Sequence, residues 1–205
     1  MASGSALFPQ VIASGNPGKV REFGHLLADL PLEIRPQPKG LEVEETGDTF
    51  AANARLKASA VAGATGCWAL ADDSGLSVTA LGGAPGVHSA RYGDSDGARI
   101  ARLLRELAGA GDRSARFIAA LAVADPSGTI RLEVEGECPG LILEESRGCG
   151  GFGYDPVFLV PEAGLTYAEM DKQLKGRIGH RGQAFAQLAP QLRELLGAES
   201  TTPRG

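Results

Sequence analysis

The chain has 205 residues, 43% of them hydrophobic and 22% charged, which is the balance of a soluble globular protein with material for one sizeable core. Twenty basic against 25 acidic residues leave a net charge of −5, which argues against a nucleic-acid-binding surface and confines any phosphate chemistry to a local site; no segment reaches the roughly 18 apolar residues of a membrane span. The cysteines Cys67, Cys138 and Cys149 are too few and too scattered for a disulfide framework or a zinc ligand set, so a reducing, cytoplasmic setting is expected.

The N-terminal stretch MASGSALFPQVIAS lacks a basic start and is broken by Pro9 and Gln10, so it does not read as a signal peptide. Val11 to Ala13 forms a short apolar strand that ends in SGNPGK. Val20, Phe23, Leu27 and Leu30 then recur at helical spacing, with Asn16 as cap and Pro17 in the first turn. Leu32 to Arg35 is a second strand, followed by the acidic loop LEVEETGD. An Ala-rich helix runs from Phe50 to about Ala62, capped by Asp48 or Thr49 and ending near Gly63. Trp68 to Ala71 is a strand that delivers the chain to Asp72, Asp73 and Ser74, and TALGGAPGVHSARYG is loop-like. Ile100, Leu103, Leu104 and Leu107 mark another helix, and Phe117 to Ala124 with Thr129 to Cys138 make a hairpin. PVFLV is a buried strand after the glycine cluster at 148–153. A final helix spans about Gly182 to Leu196, kinked or restarted at Pro190, and residues 198–205 form a frayed tail. The expected fold is α/β with a mixed sheet, one domain over 1–197, and glycines at strand ends where such sheets place their ligands.

Four groups of residues carry candidate chemistry. Ser14, Gly15, Asn16, Pro17, Gly18 and Lys19 lie between a strand and a helix N-terminus, where free N–H groups and the helix dipole favour an anion and Lys19 adds a mobile charge. The GxxxxGK[ST] spacing is absent, so this is not a P-loop. The second group is acidic: Glu44, Glu45, Asp72 and Asp73. Adjacent carboxylates after a buried strand ask for a hard divalent cation, magnesium shared with phosphates being the usual case, and strand alternation lets only one of Asp72 and Asp73 reach it. Thr49, Asn53 and Lys57 share one helix face beside that loop. The third group is GCGGFGYDP. It formally contains GxGxxG but lacks the strand before and the helix after it, and reads as an open loop presenting Phe152 or Tyr154 to a flat ring with Asp155 at its edge. The fourth is Lys175 with His180 and Arg181, donors suited to base carbonyls or phosphates. A serine hydrolase built on Ser74 is disfavoured because no GxSxG elbow surrounds it.

The segments SGNPGKVREF, EETGDTFAANARLKA, ALADDSGLSVTALGGAPGVHSARY and GFGYDPVFLVP with HRGQAF closely resemble the inosine triphosphate pyrophosphatase family, the Ham1-like or RdgB-like nucleoside triphosphate pyrophosphatases, over residues 10–196. The resemblance implies an elongated α/β fold with two lobes around a central cleft. It also implies a cytoplasmic homodimer that cleaves ITP, dITP and XTP to monophosphate and pyrophosphate with Mg2+, Mn2+ being a substitute. By the same resemblance, Ser14 to Lys19 and Lys57 meet the phosphates, and Glu45 and Asp73 hold the metal. Asp73 also takes the proton, Ser74 touches substrate, and Phe152, Gly153, Tyr154, Asp155, Lys175, His180 and Arg181 form the nucleoside pocket. Where the family usually has serine before the His-Arg pair, this chain has Gly179.

Overall fold

A computed structural model describes residues 8–201; residues 1–7 and 202–205, which include the start of the N-terminal stretch and the last four residues of the expected tail, lie outside it. Seven strands form one sheet in the order β2-β1-β3-β4-β5-β6-β7. The first strand, β1 (Phe8–Ala13), pairs in parallel with β2 (Leu32–Pro36) and with β3 (Trp68–Val78). Val11, Ile12 and Ala13 are buried in succession, as a central parallel strand covered on both faces requires. Pro36 closes the edge strand β2, where its missing N–H costs no ladder bond. The strands β4 (Ser114–Ala124) and β5 (Ile130–Ile142) are joined by a tight turn in which Gly128 N–H donates to the Asp125 carbonyl. The short strand β6 (Phe158–Val160) then adds on antiparallel to β5, and β7 (Leu165–Thr166) antiparallel to β6. The sheet is therefore mixed, as expected.

The chain divides into two compact units, each assembled from separate stretches. The first comprises residues 8–72, 120–135 and 184–201. In it, α1 (Pro17–Leu26) starts at the Asn16 cap, and α2 (Phe50–Thr65) starts at Thr49, whose hydroxyl accepts the Ala52 N–H. Phe50, Asn53, Ala54, Ala58, Val61 and Ala62 form the buried stripe of α2, which packs on β1 with small side chains that allow close approach. The helix ends one turn later than expected, because Gly66 rather than Gly63 adopts the left-handed conformation that stops it.

The second unit comprises residues 73–119 and 136–183. Its core gathers Leu76, Val78, Leu103, Leu107, Phe117, Phe158 and Tyr167. Here α3 (Asp96–Glu106) is capped by Ser95, and α4 (Lys172–Ile178) by Asp171. Helix α4 buries none of its residues, so no apolar periodicity announces it. The last helix, α5 (His180–Thr201), begins two residues before the expected start, runs as one helix through Pro190, and continues past Leu196 into the expected tail. Strand β3 also exceeds expectation. The segment Asp72–Val78, beyond the expected strand end at Ala71, stays in the strand because Leu76 and Val78 are core residues and the Leu76 N–H is bonded to the Ser89 hydroxyl.

Candidate active site

In the first unit, the loop from Ser14 to Lys19 is a self-satisfied cap. The Asn16 side-chain oxygen accepts the Gly18 N–H at 2.8 Å and the Lys19 N–H at 3.4 Å, while the Asn16 N–H donates to the Ser14 hydroxyl at 3.1 Å. Pro17 brings no N–H. The helix amides expected to face an anion are thus engaged by the loop's own asparagine, and the positive charge at this end of α1 comes chiefly from Lys19. Nor is Lys19 mobile: its ammonium lies 2.7 Å from Asp72 Oδ2 and 3.4 Å from the Asp72 carbonyl, with 14% of the side chain exposed against 1% for Asp72.

Lys57 comes to the same place from α2. Its ammonium donates to Glu45 Oε1 at 2.7 Å and to the Asp72 carbonyl at 2.9 Å, and its side chain is only 12% exposed. Two lysines therefore meet on one carbonyl oxygen, each also paired with a carboxylate. The acidic loop that carries Glu45 is held by Asn53, whose Oδ1 accepts the Gly47 N–H at 2.8 Å. Gly47 has to be glycine, since an added Cβ would stand 2.8 Å from that oxygen and 2.7 Å from the Ala52 Cβ. Asn53 thus positions the loop from within the core, a role that its place on the Thr49–Lys57 face did not reveal.

In the second unit, Asp73 is buried on β3 and Ser74 follows it. Arg181 donates to the Ser74 hydroxyl at 2.7 Å. The Asp155 carboxylate accepts the Phe152 N–H at 2.9 Å and pairs with Lys175 at 2.6 Å; burial pushes this carboxyl upward against the pull of Lys175. Lys175 and Arg181 also stand over the Phe152 ring, at 5.2 and 5.5 Å from its centre. Gly151, at φ +74, is required here because a Cβ would overlap the Asp155 carboxylate. Gly153 N–H donates to Asp96 Oδ2 at 2.7 Å, which ties the loop to the start of α3.

The two aromatic residues expected to present a flat face are separated by the fold. Phe152 is partly exposed, whereas Tyr154 packs into the core and spends its hydroxyl on the Ser89 carbonyl at 2.8 Å, so its ring is not a stacking platform. His180 and Arg181 lie in the first turn of α5 rather than ahead of it, and are 2% and 4% exposed. His180 is stacked on Phe117 with ring centres 4.8 Å apart. Among the described residues, no three His, Cys, Asp or Glu side chains gather into a metal-binding group, and no helix is long and apolar enough to cross a membrane.

The chain is thus a mixed α/β protein with two acid-paired lysines meeting on one carbonyl oxygen in one unit and a cation-flanked aromatic in the other. Comparison with known proteins narrows it. The family model described as the Ham1 family matches residues 10–191, and the chain belongs to that family. A protein of Parasynechococcus marenigrum named dITP/XTP pyrophosphatase is 62% identical over 92% of this chain and 97% of its own length. One of the same name from a Nostoc strain is 55% identical over 93% and 97%. Among solved structures, a HAM1 protein from Coxiella burnetii superposes with TM-score 0.83 at 44% identity, covering 91% of this chain and 99% of that one. The Staphylococcus aureus Ham1 protein gives 0.81 at 39% identity, covering 91% and 98%.

Proposed function

We propose that this chain is a nucleoside triphosphate pyrophosphohydrolase that cleaves dITP, ITP and XTP to monophosphate and pyrophosphate, clearing these bases from the pool used for DNA and RNA. The observation that carries this reading is the meeting of Lys19 and Lys57 on the Asp72 carbonyl, two ammonium groups concentrated at one point of an acidic protein. The shared name of the close relatives supports the same reaction.

In this reading Ser14, Gly15, Asn16, Pro17, Gly18, Lys19 and Lys57 take the phosphates, the lysines releasing part of their hold on Glu45 and Asp72 as the more highly charged triphosphate arrives. The metal is magnesium, replaceable by manganese, with Glu45 and Asp73 as its protein ligands. The donors are carboxylate oxygens, the chemistry of magnesium sites that take one or two carboxylates and complete their shell with substrate phosphates and water. When bound, magnesium draws charge from the phosphate oxygens. The Asp73 carboxylate accepts the proton of the water that attacks the α-phosphorus, and the two ammonium groups neutralise the departing pyrophosphate. Ser74, Phe152, Gly153, Asp155, Lys175, His180 and Arg181 read the nucleoside, with Tyr154 acting through the loop it anchors. A 6-keto purine offers an acceptor where adenine offers an amine, so a guanidinium donor there favours hypoxanthine and xanthine over adenine. The working state is a cytoplasmic homodimer without nucleic-acid or membrane partners.

The test is pyrophosphate release from ITP, dITP, XTP, GTP and ATP, with Mg2+, with Mn2+ and with chelator. Expected are roughly 10²- to 10⁴-fold higher kcat/KM for ITP and XTP than for ATP, abolished by chelation and restored by either metal. Equal rates on ATP and ITP, or release of orthophosphate without pyrophosphate, would overturn the reading. Asp73→Asn should lower kcat by roughly 10²- to 10⁴-fold with nucleotide binding retained. Light scattering checks the dimer.

A further inference from the structure

Within the second unit, the start of α5 is held by a residue that has no role so far. Tyr167, directly after β7, is 1% exposed, and its hydroxyl oxygen accepts the His180 N–H at 3.2 Å. The same oxygen lies 3.4 Å from His180 Nδ1. The two rings are nearly parallel, 14° apart, and both stack on Phe117. Gly179 makes this approach available: a Cβ there would stand 2.5 Å from the Lys175 carbonyl and 3.4 Å from the Tyr167 hydroxyl. With no side chain at Gly179, the Lys175 carbonyl accepts the Gly179 N–H at 2.8 Å and the phenol stands against the first turn of α5.

An oxygen that accepts the His180 amide still has its own proton to place. Burial raises the Tyr167 hydroxyl far above the ordinary phenol value, so it keeps that proton. Its neighbours are the Cys138 thiol, a weak acceptor, and the imidazole Nδ1, a much better one. A bare Nδ1 leaves the neutral ring with its proton on Nε2.

We propose that Tyr167 is a positioning residue for base recognition: its hydroxyl orients His180 and holds it as the Nε2–H tautomer, a hydrogen-bond donor beside Arg181 that suits a keto oxygen and disfavours an amine. This rests on the reading of His180 and Arg181 as base-contacting residues.

Three histidines, of which His25 and His88 are exposed, make the tautomer directly readable by long-range proton–nitrogen NMR. The wild-type protein should show His180 with a bare Nδ1 and a protonated Nε2 at neutral pH. In Tyr167→Phe the tautomers should mix and the His180 amide should exchange at least tenfold faster. The KM for ITP should rise roughly threefold to tenfold with kcat within about twofold, and the preference for ITP over ATP should fall by the same factor. Phe117→Leu serves as the structural control: it loosens the stack and lowers the melting temperature, but should keep both the tautomer and the ITP/ATP ratio. A wild-type proton on Nδ1, an unchanged tautomer in Tyr167→Phe, or an equal loss of selectivity in Phe117→Leu would overturn the proposal. Wild-type enzyme that turned over ITP and ATP alike would overturn the substrate reading and the selectivity half of this one, while the spectrum decides the tautomer independently.

Discussion

Lys57 shows how much one side chain can be asked to do. Its ammonium donates to Glu45 and to the Asp72 carbonyl in a largely buried setting, so Lys57→Met removes one donor from each oxygen and leaves the Asp72 carbonyl to the longer contact with Lys19. A stability loss of about 1–3 kcal/mol is expected in denaturant unfolding, together with a fall in kcat of roughly 100-fold if the same ammonium faces the leaving pyrophosphate. A variant with full activity would remove Lys57 from the phosphate site. Gly151 is the corresponding point in the second unit. Gly151→Ala meets both a positive φ and the Asp155 carboxylate, which must leave the Phe152 N–H or move off Lys175. About 1–3 kcal/mol of destabilisation is expected from the backbone term alone, and a raised KM for the nucleotide should accompany it. In the sequence Lys57 stands out only by sharing a helix face with Thr49 and Asn53 and by the family resemblance, and Gly151 only as one member of the glycine cluster at 148–153. Burial is a property of the packed neighbours, and no single position states it.

At the level of elements, the clearest device is the clamp between α2 and the acidic loop. Asn53→Ala deletes the acceptor of the partly buried Gly47 N–H, and should cost about 1–3 kcal/mol. Hydrogen exchange should report the loss first over residues 40–48, with α2 itself little changed; uniform exchange across the chain would show that Asn53 does not act on this loop. Local signals named the cap Asn16 and narrowed the other to Asp48 or Thr49, of which the structure uses Thr49, because a cap is a contact between residues two or three apart. They missed α4, none of whose residues is fully buried, and cut β3 short at Ala71, because two aspartates and a serine look like a turn until Leu76 and Val78 are seen in the core. Tyr167 went unmarked because its phenol acts on a residue 13 positions later, with all of α4 between them in the chain.

For the molecule as a whole, the surface pair of Arg147 and Glu169 offers a pH probe. Arg147 and the Thr166 N–H hold the Glu169 carboxyl down at about 2, against an ordinary 4.5. Because the folded value lies below the unfolded one, the pair's contribution is fully present above pH 4.5 and is lost as pH falls through about 2. The melting temperature of Glu169→Gln should therefore lie below wild type at neutral pH, with the gap closing between those two values. A gap that stays constant down to pH 2 would show that the pair contributes nothing through its charge. Since the side chains are exposed, the effect should also shrink in high salt.

The sequence by itself determined the parts whose physics is short-ranged: the capped loop after β1, the order and type of most elements, the mixed sheet, and the spaced motifs that mark the Ham1 family. Tertiary structure alone decided which charges meet and how far they are desolvated. Lys19 reaches Asp72 across 53 positions and Lys57 reaches Glu45 across 12. It also sent the Tyr154 ring into the core and left Phe152 partly exposed, two positions away. The reason is that pairing and burial energies depend on distance in space and on the local dielectric, and both exist only once the chain has packed.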